Sequence, residues 1–89
     1  MRKRLTPFFV YIVRCADSSL YTGITSDLER RLKEHNRAKG GGYTRARCPV
    51  QLAYREACPD RSAALKREAR IKSWPRKKKL GLIKDNPVL

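Results

Sequence analysis

Acidic residues are scarce in this chain. Eight Asp and Glu stand against 22 Lys and Arg in 89 residues, a formal net charge of +14. A small domain stays soluble with a net charge of magnitude about 2–8, so this excess calls for a polyanionic partner. Long apolar runs are missing too. The apolar stretch from Phe8 to Val13 is cut off by Arg14, far short of the roughly 18–20 residues of a membrane helix. No basic amphipathic helix carries bulky aromatic anchors, which disfavours a membrane surface. The basic start, Met1-Arg2-Lys3-Arg4, leads into a strand and not into the apolar segment and cleavage site of a signal peptide. A cytoplasmic location and a nucleic-acid partner are the expectation.

Metal-ligand and disulfide patterns are equally thin. The three cysteines, Cys15, Cys48 and Cys58, form no C-x-x-C, and the single histidine, His35, has no cysteine near it in sequence. A structural zinc site or a disulfide framework is therefore not expected, and small, partly buried thiols in a reducing compartment fit the pattern. Apolar residues make up 40% of the chain, enough for one folded domain over residues 1–89 and against wholesale disorder.

The elements follow from residue type. Residues 8–14 are β-branched and aromatic and read as a buried strand. After the turn residues 16–19, Leu20 to Ile24 reads as its hairpin partner. Gly23 inside that second strand marks either a bulge or a close approach of backbone or ligand. Ser26-Asp27-Leu28-Glu29 reads as a capping box with Ser26 at the N-cap. The helix it opens places Leu28, Arg31, Leu32 and His35 on one face, with Arg30, Lys33, Glu34 and Arg37 on the solvated side. Gly40-Gly41-Gly42 ends it in a flexible loop. Residues 50–57 alternate as a third strand, Asp60 caps a helix over 61–73, and a short helix starts near Trp74-Pro75 and runs to Leu82 or Ile83. The tail 85–89 reads as loose. The fold expected is α+β, a three-stranded antiparallel sheet flanked by about three helices.

Ten basic residues lie between Arg61 and Lys84, with Glu68 as the one acid among them. Glu68 follows Ala64 by four and Leu65 by three and precedes Ile71 by three, which aligns it with an apolar stripe. A carboxylate on an inward face needs a cation, and two kinds are available: a basic side chain, or one hard divalent ion that also takes waters and substrate phosphate oxygens. Arg31 and His35, one turn apart, suit a phosphate. Tyr11 and Tyr21 fall on paired strands, with both hydroxyls able to reach one side. A catalytic phenol would need its ordinary pKa of about 10 lowered by a cation.

Together these residues resemble the GIY-YIG nuclease superfamily, and within it the small single-domain branch related to structure-specific junction nucleases. Val10-Tyr11-Ile12 stands where the family has its first triplet and Tyr21-Thr22-Gly23 where it has the second. Residues 27–32 and His35, then Gly40 to Tyr43 with Thr44-Arg45, then Ala64 to Glu68 with Ile71-Lys72, continue the match from about Phe9 to Ile83. The first triplet is not a literal Gly-Ile-Tyr, and Thr22 stands at the centre of the second. The resemblance implies metal-dependent phosphodiester cleavage. It implies that Tyr11 activates or positions the attacking water with Tyr21 beside it, and that Gly23 lets the sheet approach the substrate. Arg31 would stabilise phosphoryl charge, His35 would share its helix face, and Tyr43 would stand near the scissile phosphate. Glu68 would hold one divalent cation, Mg²⁺ or alternatively Mn²⁺. No second clustered carboxylate supports a two-metal scheme.

The expected substrate is DNA, with branched, flapped and damaged forms as candidates and RNA as the weaker one. Arg45, Lys72, Arg76, Lys77 and Lys78 are the expected backbone contacts. No attached targeting module is evident, so shape preference is expected over base readout. Two other readings compete: a non-catalytic nucleic-acid-binding module of the same fold, and an RNA-binding accessory protein near the ribosome. The second leaves Glu68 and the tyrosine pair unexplained.

Overall fold

A computed structural model describes residues 7–37, 43 and 46–87. Three strands, β1 (Phe8–Arg14), β2 (Leu20–Thr25) and β3 (Gln51–Cys58), form one antiparallel sheet in the order β2-β1-β3. Among the described residues three helices accompany them: α1 (Leu28–Asn36), α2 (Arg61–Lys72) and α3 (Arg76–Asp85). The α+β expectation holds. Among the described residues no helix is long and apolar enough to cross a membrane.

Central strand β1 serves two cores because its side chains alternate between the faces of the sheet. Val10 and Ile12, fully buried, join Tyr54 and Cys58 of β3 and Ala64 and Ile71 of α2 on one face, with Trp74, Leu82 and Ile83 packed around them. Tyr11 and Val13 join Cys15 and Val50 on the other face, covered by Tyr21, Leu28 and Leu32. Strand β3 feeds both. Ile12 pairs with Tyr54 but Val13 pairs with Leu52, so the register slips at Ala53. That bulge turns Leu52 to the opposite face from Tyr54.

The helix starts need one correction. Asp27, not Ser26, is the N-cap of α1, and its carboxylate accepts from the Arg30 amide at 3.1 Å. Thr25 Oγ1 accepts from the Asp27 amide at 3.1 Å and donates to its carbonyl at 3.2 Å. This local ring sets the turn one residue later than the capping-box pattern implies. Asp60 caps α2 as expected, accepting from the Ala63 amide at 2.9 Å. Helix α3 begins after Pro75 and continues through Gly81 to Asp85, further than the expected end. Its glycine is exposed, and it costs the helix propensity but no packing.

No bulge occurs at Gly23, which pairs in register with Tyr11. The Gly40-Gly42 loop, Thr44, Arg45, the basic start and the last two residues lie outside the described residues. Cys15, Cys48 and Cys58 are not joined in disulfides, and Cys15 and Cys58 are buried.

Candidate active site

The register of the hairpin builds the site. Tyr21 pairs with Val13, so it shares a sheet face with Tyr11 and lies diagonal to it. Their ring centroids are 6.5 Å apart. His35, fully buried on the inward face of α1, sits 5.9 Å from the Tyr11 ring and edge-on to Tyr21 at 5.6 Å. Tyr11 Oη and His35 Nε2 are 2.9 Å apart.

Charge settles how that contact is protonated. Burial pushes the Tyr11 phenol above its ordinary value, Arg31 opposes the rise by hydrogen bond and charge, and Tyr21 and Glu68 add to it. Burial, with the Arg31 charge beside it, holds His35 below its usual range. The resting pair is therefore a neutral phenol and a neutral imidazole. With the positive charge of Arg31 acting on the phenol, the hydroxyl proton is assigned to Nε2 as acceptor, which puts the ring proton on Nδ1. The lowered phenol pKa that a free-standing tyrosine base requires is not found. Arg31, partly exposed, also donates to Glu34 Oε1 at 3.1 Å. That contact holds its fork at the solvent edge of the cluster.

Gly23 is explained by Tyr11. A Cβ built on it would stand 2.6 Å from Tyr11 Oη and 2.8 Å from Cζ. The space that the missing side chain leaves is filled by the phenol, which docks across the neighbouring strand and reaches His35.

Tyr43 closes the outer side. Its ring stacks on Tyr21 at 5.6 Å and is 41% exposed. Arg47, absent from the sequence reading, holds it there. The Arg47 guanidinium lies 4.2 Å from the Tyr43 ring centroid, donates from an Nη to the Tyr43 carbonyl at 3.0 Å, and donates from Nε to Asp17 Oδ2 at 3.0 Å. The Arg47 carbonyl accepts from the Ala16 amide at 2.8 Å. Asp17 is itself ordered by Ser19, whose hydrogen bonds, ahead of Arg47, hold its carboxyl below the ordinary range. Thirty positions separate Asp17 from Arg47, so no local pattern could have announced the pair.

Glu68 occupies the edge of its stripe rather than the centre. Ala64 and Ile71 are buried, but Leu65 is exposed and the Glu68 side chain is 17% exposed. Its Oε2 lies 3.2 Å from Lys72 Nζ, and its charge still reaches Tyr11. Among the described residues no three His, Cys, Asp or Glu side chains gather as a metal cluster. A lone carboxylate, largely buried and with its charge reaching Tyr11, fits a hard octahedral cation that keeps most of its waters. It does not fit a closed zinc site.

The expected backbone contacts are spread out. Arg76 donates to the Ser18 carbonyl at 2.8 Å, tying α3 to the hairpin turn, while Lys78 lies over Trp74 on the opposite sheet face from Tyr11. Lys77 is exposed on α3, and Arg45 lies outside the described residues.

Comparison with known proteins agrees with this arrangement. Residues 7–80 match the family model described as the GIY-YIG catalytic domain. A UPF0213 protein of Haloquadratum walsbyi is 56% identical over 77 residues, covering 86% of each chain. One from Staphylococcus aureus is 53% identical, covering 86% of this chain and 94% of its own. The solution structure of a UPF0213 protein from Bacillus halodurans superposes with a TM-score of 0.57 at 41% identity, covering 88% of this chain and 83% of that one. That of an E. faecalis protein superposes at 0.62 with 37% identity, covering 94% and 90%. With the family model matching most of the chain and the relatives more than half identical over 77 residues, the chain belongs to the GIY-YIG family of nucleases.

Proposed function

We propose that this protein is a divalent-metal-dependent endonuclease that hydrolyses phosphodiester bonds in DNA and selects its substrate by shape. The observation that carries the reading is the buried Tyr11–His35 contact at 2.9 Å, with the charge of Arg31 acting on the same phenol. A buried, neutral phenol–imidazole pair beside a guanidinium is costly to build for packing alone. It is suited to moving a proton while charge develops on a phosphoryl group.

In this reading Tyr11 takes a proton from the attacking water as its own passes to neutral His35. Tyr11 is 1% exposed, which fits an oxygen reserved for one ordered reactant. Arg31 meets the charge growing on the phosphoryl oxygens, a task worth about 10²–10³ in rate per donor in comparable oxyanion sites. Tyr21 and Tyr43 wall the position of the scissile phosphate. Glu68 is the residue to hold the cation, Mg²⁺ or Mn²⁺, which when bound supplies further positive charge to the same oxygens. Arg45, Lys72, Arg76 and Lys77 contact backbone phosphates, which carry no sequence information and so leave selection to shape.

The Glu68–Lys72 ion pair favours a second reading, a binding module in which that glutamate needs no metal. The two separate in one experiment. The purified protein is incubated with Mg²⁺ or Mn²⁺ and linear, flapped and four-way DNAs. Cleavage is expected, and Glu68→Gln is expected to abolish it while folding and DNA binding persist. An active Glu68→Gln protein would remove the metal assignment, and a wild-type protein that binds every DNA and cuts none would leave the binding module.

A further inference from the structure

Trp74 is the chain's one tryptophan, and the chemistry above makes no use of it. It follows α2 and packs, half-buried, on the core of Val10 and Ile12, across the sheet from Tyr11. Two cations attend its ring. The Lys78 ammonium lies 4.3 Å from the centroid and the Arg67 guanidinium 5.3 Å. They are held very differently. Arg67 donates from Nε to both oxygens of Glu56, at 3.0 and 3.1 Å, whereas Lys78 is exposed on the first turn of α3.

A cleft of about 330 Å³ opens beside the ring, lined by Trp74, Lys78, Gly81, Leu82 and Asp85. Gly81 lines open space, since a Cβ there would meet nothing within 4 Å, so a larger side chain has room at this position. One wall is an indole, another is aliphatic, and the mouth carries an exposed cation in a basic run, Arg76 to Lys79. Asp85, the one carboxylate in the lining, repels phosphate and so sets any phosphate at the Lys78 end.

We propose that this cleft binds one unpaired nucleobase of single-stranded DNA, stacked on Trp74, with Lys78 turned from the ring onto the adjoining phosphate. Base–aromatic stacking is stronger than an exposed lysine–ring contact, and the lysine gains a phosphate in exchange, so the swap is favourable. Arg67, fixed by Glu56, keeps the indole in place throughout. Duplex DNA has its bases stacked on one another and offers no free face, so the cleft favours single-stranded segments such as a flap. The proposal deepens the nuclease reading by naming the substrate form retained on the far face of the sheet. It rests on that reading for its partner but not on turnover.

Because Trp74 is the only tryptophan, intrinsic fluorescence reports this site alone. The full chain is titrated, with EDTA present so that nothing is cut, with a mixed-sequence single strand and with a blunt duplex of equal charge. The single strand is expected to quench Trp74 saturably and at least twofold more than the duplex. Gly81→Leu, which fills the cleft and suits a helix better than glycine, is expected to remove most of the quench and weaken single-strand binding severalfold, with thermal stability and duplex affinity retained. Lys78→Ala is expected to weaken single-strand binding and leave the remaining quench steeply reduced in salt dependence. Equal quenching by duplex and single strand overturns the proposal, as does unaltered single-strand binding by folded Gly81→Leu. A protein that quenches on single strands yet cuts nothing with Mg²⁺ or Mn²⁺ defeats the nuclease reading and leaves this one standing. A protein that cuts without the quench does the reverse.

Discussion

The two faces of β1 use neighbouring residues for opposite ends. Val10 and Ile12 meet α2 and α3 through aliphatic contact and carry no polar group. Tyr11, between them, points a hydroxyl into a buried site shared with His35 and Arg31. One face gains stability mainly from apolar contact, with its Tyr54 hydroxyl donating to Glu56 at 2.6 Å. The other accepts buried polar atoms, and each has to be matched; among the described residues no buried side-chain nitrogen or oxygen lacks a partner. A sheet that alternates strictly can therefore keep its chemistry one residue away from its core, provided that the register holds.

The strongest way to break the separation is Gly23→Ala. The added methyl would fall within 3.1 Å of the Tyr11 hydroxyl oxygen, Cζ and Cε1, atoms of a side chain that is itself fully buried. Overpacking of this kind costs about 1–3 kcal/mol, and it also moves the phenol from His35. Both stability and cleavage are expected to fall, the latter at least as far as in Tyr11→Phe. Thermal melts and single-turnover cleavage on the same variant check this; a stable, fully active Gly23→Ala protein would show that the phenol need not lie where it does.

Adjacent substitutions sharpen the comparison. Tyr11→Phe deletes one oxygen, so cleavage is expected to fall by about a hundredfold while stability changes by about 1 kcal/mol. Ile12→Ala leaves a hole in the aliphatic core and is expected to cost about 2–5 kcal/mol with little change in turnover for the molecules still folded. If the two variants lose activity in proportion to stability, Tyr11 is a packing residue like its neighbour.

The same logic applies around α1. Arg31→Ala is expected to reduce turnover more than affinity, because its charge matters most in the transition state. Arg30, exposed and only loosely paired with Asp27 and Glu34 at 4.0 Å, is expected to be mild when replaced by Ala. Similar kinetics for both would make Arg31 one more phosphate anchor.

How much of this could be read in advance follows the range of each interaction. β1 was legible because seven consecutive residues carry the strand signal, and the α1 face because Leu28, Arg31, Leu32 and His35 repeat with the helix. Ser26 was mistaken for the cap because Ser and Asp are both good caps, and the choice is made by the Thr25 hydroxyl, which a spacing rule does not contain. The Glu68 stripe was half right: Ala64 and Ile71 turn inward, and Leu65 does not. Contacts between distant segments were invisible, among them Arg47 with Asp17, Arg67 with Glu56, and the docking of Tyr11 over Gly23. Of these, the docking of Tyr11 over Gly23 bears directly on the paired tyrosines, because the burial of the phenol is the main cause that raises its pKa.

The smallest expected effect is the pH dependence of that pair. Burial, then the charge of Arg31, lowers the His35 pKa in the folded protein, while in the unfolded chain it returns to about 6.5. Between the two values the unfolded chain binds the proton and the folded one does not. Stability from this group is therefore complete above about pH 6.5 and is lost as pH falls through the folded value. Cleavage is expected to fall over the same lower range, since a protonated imidazole cannot accept from Tyr11. In His35→Gln, a neutral side chain, the acid-side loss of stability over that window should shrink relative to wild type, measured by denaturant titration at a series of pH values. An unchanged slope would mean that His35 takes up its proton at the same pH in the folded and unfolded chain, so that burial does not hold it neutral as the acceptor for Tyr11.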